Sequence, residues 1–208
     1  MSVELPAESR LTDRKRAAIV AAAVKEFEAC GFDNTRMNKI AETAEVSKRT
    51  VYNHFESKDA LFLAIVQELL DTTEAMPDAP YAPDEPLDEQ LIEKANRIIE
   101  LFTSDSFQSV VRVTLSRFLM APQLAEQTIG DQKRFRVRLV RWLEEVVAAG
   151  QLKIDDCEFA AAQFCGMLQT FTFWPQAFRL EPPPSKTELD RIVRSTVEMF
   201  LSRYGVSS

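Results

Sequence analysis

The chain has 208 residues, 46% of them hydrophobic and 27% charged, which excludes a disordered chain and allows one or two domains with real cores. Its formal net charge of −7 excludes nucleic-acid binding through overall charge alone. No apolar run approaches the roughly 18 residues of a membrane-spanning helix and no basic-then-apolar signal opens the chain. The expectation is a cytoplasmic protein with no membrane partner.

Residues 1–11 are polar, contain Pro6 and show no period. Arg10, Arg14, Lys15 and Arg16 form either a basic arm near phosphate or a solvated helix start. From Thr12 a helix is expected to run to Cys30, with Ile19, Ala23 and Phe27 four apart on its core face. Gly31 suits the left-handed position after a helix, and Phe32 can fold back on it. Next come two short helices. Met37, Ile40, Ala41 and Ala44 recur at i, i+3, i+4 and i+7, and after a break at Glu45-Val46 the pair Val51 and Phe55 gives a second apolar face. Two helices joined by a tight turn form a helix-turn-helix, whose second helix enters the major groove of DNA.

Packing leaves one regularity of this stretch unexplained. Three times a hydroxyl of helix-capping type is followed at once by a cation: Thr35-Arg36, Ser47-Lys48-Arg49 and Ser57-Lys58. A helix start carries partial positive charge, so cations there cost up to about 1 kcal/mol each. A docked phosphate reverses the sign, accepting the open N–H groups and pairing with the cation. The charge distribution agrees. Residues 10–58 hold ten Lys and Arg against seven Asp and Glu, and residues 71–208 hold fifteen against twenty-one. Placed cations, not net charge, would supply the DNA affinity. Lys48, Arg49, Thr50 and Asn53 open the reading helix and are expected to meet base edges. Arg and Lys pair best with guanine, and Asn with adenine. Arg36 and Ser47 are expected at phosphates, as are Thr35, Tyr52 and Lys58.

The run TRMNKIAETAEVSKRTVYNHFESKDALF resembles the N-terminal domain of the TetR/AcrR family of bacterial transcriptional regulators. The matching pieces are Gly31-Phe32, Met37 with Ile40-Ala41, Val46-Ser47, Thr50-Val51-Tyr52, His54-Phe55, and Lys58 with Ala60-Leu61-Phe62, within residues 12–66. The resemblance implies a dimeric regulator, usually a repressor, and phosphate contacts for Thr35, Tyr52, His54 and Lys58. Two positions depart from the family pattern. Glu45 stands where the family usually has Gly, at a cost of roughly a kcal/mol if the turn needs positive φ. Arg36 stands where a second Thr or Ser is common.

A fourth helix is expected from Ser57 to about Glu74, with Leu61, Phe62, Ile65, Val66, Leu69 and Leu70 on a broad face. Residues 76–86, with four prolines, read as a loop. Helices are then expected at about 87–103, 105–120, 122–149, 155–178 and 186–204, with Pro122 and Gly130 dividing or kinking the third. The helix at 155–178 has almost no polar side and is expected to be buried nearly all round. It and the last helix are expected to pair with their copies in a dimer interface that includes Phe171, Ile192, Val193, Thr196, Val197 and Phe200. The segment CEFAAAQFCGMLQTFTFWPQAF also resembles the C-terminal part of the AefR-like branch of the same family.

Large apolar residues are in excess in the body, which suggests an effector pocket. Phe102, Phe107, Phe118, Phe135 and Trp142 are candidate lining residues, with Phe164, Met167, Phe171 and Trp174 closing it and Arg117 orienting a ligand. Nothing in the sequence suggests catalysis, a metal or a cofactor. The one histidine, His54, lies in the DNA motif, no glycine-rich phosphate loop is present, and Cys30, Cys157 and Cys165 form no C-x-x-C pair and read as buried thiols. The reading is an all-α chain: a three-helix helix-turn-helix domain over residues 1–56, then a helical-bundle ligand-binding and dimerisation domain over 57–208. The expected function is a homodimeric regulator released from a palindromic double-stranded operator by a small, largely apolar effector. The alternatives are a DNA-binding dimer without an effector, and an enzyme or carrier containing a helix-turn-helix.

Overall fold

A computed structural model describes residues 7–74, 79–129 and 136–206, with side chains at 7–10, 72–74 and 127–129 left aside. The described residues form eleven helices: α1 (Ala7–Cys30), α2 (Met37–Thr43), α3 (Lys48–His54), α4 (Lys58–Glu74), α5 (Leu87–Thr103), α6 (Asp105–Met120), α7 (Pro122–Ile129), α8 (Val137–Ala148), α9 (Cys157–Thr172), α10 (Trp174–Ala177) and α11 (Lys186–Tyr204). Strand-like pairing among them is limited to a single bridge between Leu152 and Gly205. The fold is all-α, with an N-terminal helix-turn-helix and a larger helical remainder. No helix among the described residues is long and apolar enough to cross a membrane.

The chain divides into two compact units, one of residues 1–71 and 109–130, the other of 72–108 and 131–208. In the first unit the apolar stripes read from spacing meet in one core. Ile19, Ala23 and Phe27 of α1 join Ile40 of α2, Val51 of α3, and Leu61, Phe62 and Ile65 of α4, with Val113 and Phe118 of α6 completing it. Gly31 has φ +79°, its N–H donates to the Phe27 carbonyl at 2.9 Å, and the Phe32 ring returns to 5.2 Å from Phe27. This is the expected helix stop, with glycine supplying the left-handed turn and an aromatic contact sealing it. Glu28 of α1 pairs with Arg112 of α6 at 2.7 Å.

In the second unit α5, α8, α9 and α11 surround a core that includes Leu91, Leu143, Phe164, Leu168, Val197 and Phe200. Phe164 and Phe200 meet edge to face at 5.2 Å, and the Tyr204 hydroxyl of α11 donates to Gln163 Oε1 of α9 at 2.5 Å. The expected helix at 155–178 is broken, ending at Thr172 and resuming as α10. Pro175 is the physical reason, since it has no N–H to donate to the carbonyl four residues earlier and its ring crowds that carbonyl. The expected helix at 122–149 is present as α7 and α8. Gly130, one of its two suggested break points, lies outside the described residues.

Two expectations about burial are corrected. The segment 155–178 is not buried all round, because Phe159, Phe171, Trp174 and Phe178 are each more than 40% exposed. Of the three cysteines, Cys165 alone is buried, while Cys30 is exposed and Cys157 intermediate. Burial pushes the Cys165 thiol up to about 11.

Candidate nucleic-acid interface

α3 is seven residues long and is anchored in the core by Val51 alone. The Ser47 hydroxyl caps it, accepting from the Thr50 N–H at 3.0 Å, and the Ser47 and Thr50 hydroxyls lie 2.8 Å apart. With the helix fixed from below by one side chain and at its start by its cap, Lys48, Arg49, Tyr52 and Asn53 are all exposed. The Lys48 ammonium lies 5.8 Å from the centre of the Tyr52 ring, so the two exposed side chains lie against each other. His54, half-buried, closes the helix beside Phe55.

The turn before α3 carries the strain expected of it. Glu45 has φ +54°, a left-handed conformation that a non-glycine residue adopts at a cost. Its N–H donates to the Glu42 carbonyl at 3.1 Å and that of Val46 to Ala41 at 3.0 Å, which closes α2 and aims the chain into α3. α2 is held to α1 by the Thr43 hydroxyl, which donates to the buried Glu26 carboxylate at 2.5 Å.

A groove beside these helices is walled by two stretches of chain, Thr35, Arg36, Met37 and Asn38 in one and Tyr52, Glu56, Ser57 and Lys58 in the other. It therefore brings together four of the six residues expected at phosphates: Thr35, Arg36, Tyr52 and Lys58. Ser47 and His54 sit at the two ends of α3 instead. Within the groove two side chains are already engaged. Thr35 does not cap α2; the cap position is Arg36, which makes no side-chain cap bond. The buried Thr35 hydroxyl donates instead to the Gly31 carbonyl at 2.8 Å, with the Glu26 carbonyl in reach at 3.1 Å. The Lys58 ammonium donates to the carbonyls of Phe32 at 2.6 Å, Asp33 at 3.0 Å and Thr35 at 3.0 Å, and sits 4.5 Å from the Phe32 ring centre. The Ser57 hydroxyl does cap α4, accepting from Ala60 at 3.0 Å. Sequence spacing showed that hydroxyls and cations cluster here, but not that Lys58 and Thr35 are the fastenings of the α1–α2 connection. The only signal for that was Gly31, which marks a helix end whose carbonyls need donors.

Of the basic residues before α2, Arg14 and Lys15 are exposed, and Arg16 pairs with Glu68 of α4 at 2.6 Å. The side chain of Arg10 lies outside those described.

The other expected site residues separate into the two units. Arg117 and Phe118 belong to the first, Phe118 meeting Phe62 edge to face at 6.0 Å. In the second, Phe102 and Phe107 join Phe173, with ring centres 5.2 to 6.2 Å apart. Trp142 is buried between the Lys94 ammonium at 4.9 Å and the Tyr81 ring at 6.1 Å. Phe164 is a core residue, Met167 is half-buried, and Phe171 and Trp174 are exposed. Phe135 lies outside the described residues. Ile192, Val193, Thr196, Val197 and Phe200, expected at a dimer interface, are 2–9% exposed and point into their own chain's core. The stripe on α11 is covered by α5 and α9 of the same chain, and of the six residues expected at the interface Phe171 alone is exposed. Neither a metal-binding group of His, Cys, Asp and Glu nor a disulfide occurs among the described residues.

Comparison with known proteins agrees with this geometry. Residues 19–65 match the family model of bacterial regulatory proteins of the tetR family, and residues 89–206 match that of the AefR-like transcriptional repressor C-terminal domain. The HTH-type transcriptional regulator RutR of Escherichia coli K12 is 33% identical over 129 residues, a match spanning 60% of this chain and 58% of RutR. A solved TetR family regulator from Pseudomonas syringae pv. tomato is 36% identical, covering 94% of this chain and 99% of the other, with a TM-score of 0.79. The flavonoid-responsive regulator FrrA is 26% identical over 94% of this chain and all of the other, with a TM-score of 0.72. With a helix-turn-helix whose second helix faces outward and a C-terminal half that matches the AefR-like model, this chain belongs to the TetR family of bacterial transcriptional regulators.

Proposed function

We propose that this protein is a homodimeric repressor that binds a palindromic operator and leaves it when an apolar, aromatic effector binds. The observation that carries the DNA half is the outward face of α3. Lys48, Arg49 and Asn53 are exposed while Val51 holds the helix from beneath, the arrangement a recognition helix requires. Lys48, Arg49, Thr50 and Asn53 read bases. Arg36, Tyr52, His54 and the helix starts at Ser47 and Lys58 meet phosphates, which position the protein without reading sequence. Thr35 and Lys58 act there chiefly by shaping the groove, since their polar heads bond to carbonyls. The DNA-binding module comprises residues 1–56 and the regulatory and dimerisation part residues 57–208.

Dimerisation uses the outer faces of α9 and α11, where Phe159, Gly166, Thr170 and Met199 lie, opposite the buried stripe. An isologous contact of that kind gives the two-fold symmetry that a palindrome mirrors. The effector site lies at the Phe102, Phe107 and Phe173 rings, where the buried Gln108 donates to the Phe102 carbonyl and keeps its Oε1 without a protein partner. That combination suits a flat apolar ligand with one hydroxyl or N–H donor. A structural neighbour, FrrA, is named as flavonoid-responsive. Release requires that the ligand favour a dimer state whose reading helices no longer match the half-sites.

The test is footprinting of the purified protein on the DNA flanking its own gene, followed by titration with small aromatic phenols. A protected palindrome that is lost as ligand is added is the expected result. Protection that is absent at every flanking sequence overturns the DNA reading, and protection insensitive to ligands that stabilise the protein overturns the effector reading.

A further inference from the structure

Arg117 comes from α6, yet within the first unit it contacts residues next to both stretches of chain that line the groove. Its guanidinium carbon lies 4.3 Å from the centre of the Phe32 ring. Nη2 is 3.5 Å from Asp59 Oδ1 at the start of α4, and Nη1 is 4.0 Å from Asp33 Oδ1 in the α1–α2 connection. The side chain is 24% exposed, and its Nε is buried without a partner. Phe32 is thus contacted by two cations, Lys58 and Arg117, besides packing on Phe27 and Phe62. The residues that Arg117 touches adjoin the two walls of the groove. Phe32 and Asp33 lead into Thr35 and Arg36, and Asp59 follows Ser57 and Lys58.

We infer that Arg117 is a positioning residue of the DNA interface, a stacked guanidinium that holds the α1–α2 connection against the start of α4 and so sets the spacing of the groove's two walls. The inference rests on the reading of that groove as the phosphate-binding face. A planar guanidinium can lie on a ring and present its separate N–H groups to two carboxylates set apart from each other, whereas a lysine at this position would offer a single point charge with no such fork. The exposed ion pairs contribute little by themselves, with Asp33 81% and Asp59 68% exposed. The stack on Phe32 is what fixes the head where both acids can reach it.

The experiment compares wild type with Arg117→Met and Arg117→Lys, all well below their unfolding temperatures. Binding to a random-sequence duplex is measured over a salt series, and hydrogen exchange is followed at the amides of residues 31–36 without DNA. The inference expects both variants to bind about tenfold more weakly. The slope of log affinity against log salt should stay unchanged, because no phosphate contact is removed. Exchange at residues 31–36 should be about tenfold faster in both variants. Wild-type behaviour of Arg117→Lys overturns it, since charge alone would then suffice. A slope lower by about one also overturns it, by making Arg117 a direct phosphate ligand. So does unchanged exchange at 31–36. If the wild type binds no duplex, the reading of the groove has failed; the exchange data then decide whether Arg117 clamps the connection at all.

Discussion

α3 and α11 use their side chains in opposite ways. α3 has seven residues and buries Val51 alone, which leaves Lys48, Arg49, Tyr52 and Asn53 exposed. α11 has nineteen and buries Ile192, Val193, Thr196, Val197, Phe200 and Tyr204, leaving a polar outer face interrupted by Met199. A helix as short as α3 is not stable alone; it persists because α2, the Ser47 cap and the core beneath Val51 hold it. α11 is held by its own apolar stripe. The lesson is that one anchored side chain frees a helix for recognition, while a continuous stripe commits a helix to its own core.

The largest test of that contrast is Val197→Glu. Val197 is 3% exposed inside the second unit, so a carboxylate there has no partner and no water, at a cost of several kcal/mol. Urea unfolding is expected to show a lost or strongly weakened second unit. A folded monomer of normal stability would instead mean that the stripe faces a second copy. Next is Arg49→Ala, whose exposed side chain supports nothing in the core. It should leave the unfolding temperature unchanged and relax preference at one symmetric operator base pair by about 1–3 kcal/mol. A fall in stability with unaltered base preference would remove α3 from its reading role.

Smaller is Glu45→Gly. Glycine relieves the left-handed φ of +54° but also gains freedom in the unfolded chain. A net stabilisation of about 0.5–1 kcal/mol is expected by thermal unfolding. A loss of stability would show that the Glu45 side chain contributes more than its backbone costs. The smallest effect concerns the start of α11. Ser185 and Glu188 form a reciprocal capping box, and hydrogen bonds from Ser185 hold the exposed Glu188 carboxyl below its ordinary value of 4.5. A carboxylate whose folded value is depressed stabilises the fold above its unfolded value, and that contribution is lost as pH falls through the folded one. Ser185→Ala should therefore flatten the pH dependence of the unfolding temperature below about pH 4.5. An identical profile in the variant would mean the box contributes nothing.

How much of the interface was legible follows from the range of each interaction. Ser47 and Ser57 were readable as caps because a cap and its N–H lie within one turn. The strain at Glu45 was readable only as a condition, because some tight turns need positive φ and others do not, and the packing of α2 on α3 decides which. Lys58 was legible as a cation at a helix start, but its three carbonyl partners lie 23 to 26 residues away. Arg117 was read from the apolar residues on its own helix, whereas its ring and carboxylate partners come from the α1–α2 connection and α4.

The sequence by itself determined the all-α class, the helix-turn-helix and most helix limits, including α4, α5, α6 and α11, because apolar period, caps and proline are encoded within a few residues. Tertiary structure alone decided which surface each stripe met. The apolar faces of α9 and α11 fit a core or a second copy equally well as patterns. Hydrophobic burial is non-directional and carries no label for the chain that provides the cover. Only the packing of α5 and α8 against them made those residues core and left Phe159 and Met199 outside.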